Sequence, residues 1–448
     1  LLFILCLFFL IVKIVSVSLT NFDLFGDEAQ YWLWSQNIEL GYFSKPPLLS
    51  WTVALVCSIF GSSIFVIKMI SIILYCVTSY IIYLISYKLN KNVELAFLTA
   101  ITFFVMPAVS VSSFLLSTDI LLVFFWSLAL LQLLIIKEKP SGLNFILLGI
   151  FIGLAFMSKY AAIYFVISML ILFFDKEMKV IFLNNLRKLL CLVIILVVIV
   201  LPNILWNINN GWTTFLHIAD NAGLNRAEIN FIEGLKFISS QILMVGPIIF
   251  IFYFFGYFKK IMKNFNTRFL LIFSLPVFTI VLVESILVRA NANWAAVSLV
   301  SFIILFVHAI FNYSKKTILF NNIVNLIFGF VFFFLIGTSV TYEPFKRISG
   351  ISSFANSLIS EHNFNQTNNL VIGDRMLFSS LSYIFHESEI EMYVPFNPDE
   401  KLGHHFQITN PLPVDFNKSF VFIGYIDQLN YLHNKPAINL IQTTDRLM

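Results

Sequence analysis

Two adjacent carboxylates, Asp27 and Glu28, follow directly on an apolar run, and Tyr31, Trp32, Trp34 and Ser35 come soon after them. Further along, Lys45 stands before Pro46-Pro47, Asp119 follows Ser117-Thr118, Lys159 follows Ser158, and Arg289 precedes Asn293-Trp294. A carboxylate at the edge of a low-dielectric region suits the general base that takes a proton from a hydroxyl. Cations suit the complementary task of stabilising a departing phosphate. Each residue also has a plain structural reading. The first stretch reads as a loop with aromatic anchors, Asp119 as a helix N-cap, Lys159 as a lysine snorkelling to headgroups and Arg289 as an outer anchor.

The elements that must position these groups are membrane helices. Of the 448 residues, 59% are hydrophobic and only 12% charged, about half the charge of a soluble domain. The apolar residues fall into about eleven runs long enough to act as spans. They cover 1–20, 63–86, 94–113, 118–136, 143–157, 161–174, 189–206, 235–256, 269–288, 294–312 and 318–340. The fifth and sixth are short and read as one broken helix or two tilted ones, with Ser158-Lys159 at the joint. Cations crowd alternate loops, in pairs such as Lys88/Lys91, Lys137/Lys139, Arg187/Lys188, Lys259/Lys260 and Lys315/Lys316. That bias puts the N-terminus in the cytoplasm and the C-terminus outside. Asp27, Glu28, Lys45, Lys68, Asp119, Lys159, Arg226, Lys236, Arg289 and Asn293 then all fall at the outer face.

Within the first outer loop, 21–62, the spacing of Asp27, Glu28, Tyr31, Trp32 and Ser35 predicts a short helix on the membrane. Asp27 would start it, near the positive end of the helix dipole, with the aromatic rings in the headgroup layer. Pro46-Pro47 would hold an extended turn that aims Lys45. After residue 341 the chain turns polar, and 369–374, 389–394 and 420–426 read as short strands around a helix at 376–385, a small outer α/β domain. The four cysteines lie in or beside apolar runs, which argues against a disulfide framework. No basic stripe for nucleic acid is present. His217 reads as a surface histidine, and the adjacent His404-His405 as a poor chelating pair.

The segment Gly26-Asp27-Glu28-Ala29-Gln30-Tyr31-Trp32-Leu33-Trp34-Ser35, with Gly41-Tyr42-Phe43-Ser44-Lys45-Pro46-Pro47-Leu48, resembles the first outer loop of bacterial membrane glycosyltransferases related to protein mannosyltransferases and the aminoarabinose transferase of lipid A. Ser117-Thr118-Asp119, Gly153–Tyr160, Trp206-Asn207 with Gly211-Trp212, and Ala292-Asn293-Trp294 extend the likeness over about residues 1–340. Two departures stand out: Ser44 where many members carry Asp, and Lys68 where Arg is frequent. Lysine keeps the charge there without bidentate geometry. The resemblance implies the GT-C fold, an all-α polytopic domain over 1–340 with an outer domain over 341–448. It also implies a bacterial inner-membrane enzyme using a polyprenyl-phosphate sugar at the outer face, acting on a glycan, glycolipid or protein acceptor.

For such a reaction Asp27 is the candidate base, Glu28 positions it or the acceptor, and Asp119 orients the acceptor. Lys45, Lys159 and Arg289 are the candidates for the donor phosphate, and Tyr31, Tyr42, Asn293 and Trp294 for substrate contact. One displacement at the anomeric carbon would invert its configuration. The resemblance permits a divalent ion near Asp27, Glu28 and Asp119, although no dedicated ligand spacing is present. The rival readings are a transporter or lipid flippase, which needs access from both faces, and a non-catalytic assembly subunit.

Overall fold

The computed structural model describes residues 2–223, 228–256, 264–361, 368–397, 401–425, 427–428 and 432. Arg226, Lys259 and Lys260 lie outside them. The helices are α1 (Leu2–Leu19), α2 (Gly26–Gln36), α3 (Leu48–Phe60), α4 (Ile64–Asn90), α5 (Val93–Val105), α6 (Pro107–Ser112), α7 (Thr118–Glu138), α8 (Gly142–Ser158), α9 (Ile163–Leu172), α10 (Lys176–Asn184), α11 (Leu186–Asn209), α12 (Thr213–Ala222), α13 (Phe231–Val245), α14 (Pro247–Gly256), α15 (Phe265–Ile272), α16 (Leu275–Leu287), α17 (Ala296–Phe311), α18 (Lys315–Gly337), α19 (Ile351–Glu361), α20 (Arg375–Ile384) and α21 (Phe406–Thr409). The strands are β1 (Asn369–Ile372), β2 (Glu391–Tyr393) and β3 (Val421–Ile423). The chain divides into two compact units. The first comprises Leu1–Thr20, Glu39–Gly41 and Lys45–Val340, and the second Asn21–Ile38, Tyr42–Ser44 and Thr341–Met448.

All eleven apolar runs are helical in the first unit. Among the described residues, seven helices are long and apolar enough to cross a membrane: Leu2–Leu19, Ile64–Asn90, Thr118–Glu138, Leu186–Asn209, Phe265–Leu287, Ala292–Phe311 and Lys315–Gly337. Several runs are interrupted. Pro107 starts α6 after Met106, and Pro247 starts α14 after Gly246, whose φ of 108° is left-handed. Proline lacks the N–H that would continue the preceding helix but is tolerated in a first turn. Leu48–Phe60, expected as part of a loop, is instead an apolar helix ended by Gly61 at φ 82°. Pro47 serves as its N-cap in a helical conformation, not an extended one. Side-chain caps start other helices: the Ser63 hydroxyl accepts from Val66 N–H, and Asn92 from Leu95 N–H.

Helices α7 and α17 form the interior of this unit, with Trp126, Leu130, Val300 and Ile304 enclosed. Helix α11 instead presents Leu190, Val193, Ile194, Val197, Val198 and Leu201 outward. A continuous apolar face of this kind is at home against lipid tails.

The second unit contains the small α/β element. Its sheet is parallel, ordered β2-β1-β3, with Leu370 opposite Met392 and Val421. The strands and α20 fall where hydropathy placed them. Helix α2 packs on α20, where Gly26 lets the backbone approach Met376: a Cβ there would meet its sulfur at 2.8 Å. Asp23 accepts from the N–H groups of Ile351 and Ser352 and so caps α19. The aromatic residues of α2 are not lipid anchors. Trp34 stacks on Tyr42 with centroids 4.6 Å apart, and Trp32 meets Tyr383 edge-on at 4.9 Å, all inside this unit. Helical spacing fixed which residues share a face of α2, and packing against α20 decided that this face turns inward.

Candidate active site

In the first unit, two segments distant in sequence converge on Asp119. Ser117 is extended and occupies the N-cap of α7 without a side-chain bond, so Asp119 lies two residues into the first turn and is not the cap. Its carboxylate there gains from the helix N-terminus. Lys159 stands where α8 stops. Its backbone is extended (φ −160°, ψ 135°), and a 3-10 turn over Tyr160–Ala162 leads into α9. At this end of α8 the Lys159 side chain reaches α7, and Nζ donates to Asp119 Oδ1 at 2.7 Å. Asn293 sits in a second 3-10 turn, Ala292–Ala295, and its Nδ2 donates to Asp119 Oδ2 at 2.7 Å. Gln241 holds that turn by donating to the Ala292 carbonyl at 2.8 Å. Both carboxylate oxygens are thus engaged, and the pair is largely buried, with side chains 10% (Asp119) and 17% (Lys159) exposed. Lys159 therefore does not simply snorkel to headgroups.

A second network adjoins Lys159 through its neighbour Tyr160. The Tyr160 hydroxyl donates to Asn203 Oδ1 at 2.5 Å and accepts from Asn207 Nδ2 at 3.3 Å. Asn203 in turn donates to the Leu40 carbonyl at 2.9 Å, and Trp206 Nε1 donates to Glu39 Oε2 at 2.7 Å. These bonds tie the 39–41 segment, which leads to the half-buried Lys45, to α11. Gly41 is required there, because a Cβ would lie 2.6 Å from the Trp206 ring and 2.7 Å from Asn203 Nδ2. Tyr160, Asn203 and Glu39 were not anticipated, although Ser158-Lys159-Tyr160 and Trp206-Asn207 had marked their surroundings. Arg289 is exposed after α16, and Trp294 is half-buried beside Asn293.

The remaining candidates belong to the second unit. Asp27 is the second residue of α2, at the helix start as its spacing predicted, and is half-buried. Glu28 is enclosed, and its Oε2 accepts from the Phe25 N–H at 2.8 Å, closing the start of the helix. Tyr31 packs edge-on to Trp34 at 5.7 Å. Tyr42 is wholly buried, and its hydroxyl donates to the Trp34 carbonyl at 2.8 Å. It serves packing. His405 is also packed between rings, edge-on to Trp34 and Tyr42, and its Nδ1 accepts from Phe43 N–H at 3.4 Å. Burial, then the neighbouring His404, pushes His405 down to about 4. His217 pairs with Asn221 on the exposed part of α12, Nε2 to Nδ2 at 2.9 Å. Among the described residues no three His, Cys, Asp or Glu side chains gather as metal ligands would.

A family model described as dolichyl-phosphate-mannose-protein mannosyltransferase matches residues 44–206, which include Lys45, Asp119, Lys159 and Asn203. The lipid A galacturonosyltransferase RgtD of Rhizobium johnstonii is 31% identical over 326 residues, spanning 70% of this chain and 67% of that protein. The chain belongs to the GT-C membrane glycosyltransferases related to RgtD. The structure of ArnT from Cupriavidus metallidurans bound to undecaprenyl phosphate is similar with a TM-score of 0.65 at 14% identity, over 88% of this chain and 86% of that one. Its apo form gives 0.65 at 12% identity, over 94% and 92%. The apo oligosaccharyltransferase of Archaeoglobus fulgidus gives 0.51 at 14% identity, over 88% of this chain and 64% of that one. This GT-C chain is thus a multi-pass membrane enzyme that transfers sugars, and the transporter reading is set aside.

Proposed function

We propose that this glycosyltransferase moves a sugar from a polyprenyl-phosphate carrier to a hydroxyl of a lipid A-type glycolipid at the outer face of the inner membrane. The observation that carries this reading is the 31% identity to a lipid A galacturonosyltransferase. ArnT, which shares the fold, has been captured with undecaprenyl phosphate, and that supports the carrier class. The orientation rests on the cation bias of the loops, with the N-terminus in the cytoplasm and the C-terminal unit outside.

In this reading Asp27 takes the proton of the acceptor hydroxyl, and Glu28 holds the start of α2 so that Asp27 keeps its place. The acceptor oxygen attacks the anomeric carbon as the bond from that carbon to the phosphate oxygen breaks. Both electrons of that bond leave with the polyprenyl phosphate. Its negative charge needs cations at short range, and Lys45, Lys159 and Arg289 are assigned to it. Asp119 holds Lys159 and Asn293 in one constellation, which lowers the cost of ordering them when the donor binds. Asn293 and Trp294 flank the sugar. A single displacement inverts the anomeric centre.

Mass spectrometry of envelope glycolipids from cells with and without the gene tests this reading. Lipid A that loses one sugar residue on deletion is the expected result; an unchanged lipid A profile with a sugar missing from protein would contradict it. NMR of donor and product anomers tests the displacement, and retention would rule it out.

A further inference from the structure

Two lysines in the first unit lie where a membrane protein rarely tolerates charge. Lys13 in α1 and Lys68 in α4 are both wholly buried. A charge within a span is costly and is kept where it does something. Aromatic faces and a hydroxyl are among the groups that meet these amines. Lys13 Nζ lies 4.4 Å from the Phe104 ring centre and 4.7 Å from that of Phe9, and it donates to Ser113 Oγ at 3.2 Å. Lys68 Nζ lies 4.1 Å from the centre of the Phe114 ring. Such contacts strengthen when desolvated.

Both cations bear on one short connection, residues 113–117, which joins α6 to α7. Ser113 receives Lys13 while its own proton goes to the Val109 carbonyl at 2.5 Å. Phe114 and Leu116 are buried, and the Leu115 carbonyl accepts from Ser71 Oγ at 3.2 Å. Helix α7 starts at Thr118, directly after this connection, and Asp119 sits in its first turn. We infer that Lys13 and Lys68 are positioning residues: they clamp the 113–117 connection and thereby fix the height and rotation at which Asp119 meets Lys159 and Asn293. A Met in place of either lysine would fill the same volume without charge, so a lysine serving only as packing would be replaceable. This inference rests on the part given to Asp119 in the proposed reaction.

The test uses the full chain in nanodiscs, with polyprenyl-phosphate galacturonic acid as donor and lipid A as acceptor, and compares Lys13→Met, Lys13→Arg, Lys68→Met, Asp119→Asn and the double variant Lys13→Met/Asp119→Asn. The expected result for Lys13→Met is a thermal midpoint equal to or above that of the parent, with kcat/KM for the donor lowered about tenfold. Lys13→Arg should recover most of the rate. The double variant should be no slower than Asp119→Asn alone, because Lys13 acts through that residue. Losses that multiply in the double variant, or full activity in both Met variants, overturn the positioning role. Full activity of Asp119→Asn instead overturns the assignment of Asp119 itself, and the inference with it. Lys68→Met repeats the test from a second helix should Lys13→Met fail to fold.

Discussion

Lys159 and Asp119 meet at 2.7 Å although 40 residues separate them, one at the broken end of α8 and the other in the first turn of α7. A largely buried pair of this kind couples energetically. Replacing Lys159 by Met leaves Asp119 without its cation and should lower stability by about 1–3 kcal/mol. In a double-mutant cycle with Asp119→Asn, the coupling energy should exceed about 1 kcal/mol. Thermal unfolding in detergent measures it, and additive losses would mean that the pair does not act as a unit.

Asn293 separates charge from geometry at the same carboxylate. Asn293→Ala removes the bond to Asp119 Oδ2 and should slow transfer with little effect on stability, about 1 kcal/mol. Asn293→Asp sets a second carboxylate against the first and should be the worse of the two. Comparing kcat/KM of the two variants checks this order.

Gly41 is a packing requirement with a functional consequence. Gly41→Ala drives a Cβ into Trp206 and Asn203 and should cost about 1–3 kcal/mol by overpacking. Shifting the 39–41 segment also displaces Lys45, so the KM for the lipid-linked donor should rise. A Trp206→Leu background, which opens space, should recover part of both losses.

The second unit should weaken in mild acid. His405 is held to about 4 against an ordinary value of 6.5, chiefly by burial. Its neutral form is favoured in the fold, so its contribution is complete above pH 6.5 and is lost as pH falls towards 4. Between pH 7 and 5 the loss should be about 2 kcal/mol. Intrinsic fluorescence of Trp32 and Trp34, followed through thermal unfolding at each pH, reports it. His405→Phe should flatten that dependence while keeping a ring beside Trp34 and Tyr42.

Much of this architecture was legible in the chain. The apolar runs, the helix over Asp27–Ser35, the break at Lys159 and the three short strands all follow from local signals: hydropathy, spacing and turn chemistry act over a few residues. What local signals do not carry is the identity of a partner. Asn293 reaches Asp119 across 174 residues, and no spacing rule joins them. Trp32 and Trp34 read as headgroup anchors because burial against α20 and Tyr42 is a tertiary event. Lys13 escaped notice because one lysine hardly alters an apolar run, yet its enclosure by Phe9 and Phe104 gives it structural meaning. Leu48–Phe60 was absorbed into a loop for the opposite reason, being too short for a span although apolar enough for one.

A single-turnover assay of the purified protein in nanodiscs, with polyprenyl-phosphate galacturonic acid and lipid A and with mass spectrometry as the readout, tests whether Asp27 serves as base and Lys45 meets the donor phosphate in lipid-phosphate-dependent sugar transfer. The parent should yield glycosylated lipid A. Asp27→Asn should lower the rate at least about 100-fold while donor binding persists, and Lys45→Met should weaken donor binding. Undiminished transfer by Asp27→Asn would rule out Asp27 as the base, and no transfer by the parent from any polyprenyl-phosphate sugar would rule out the donor class.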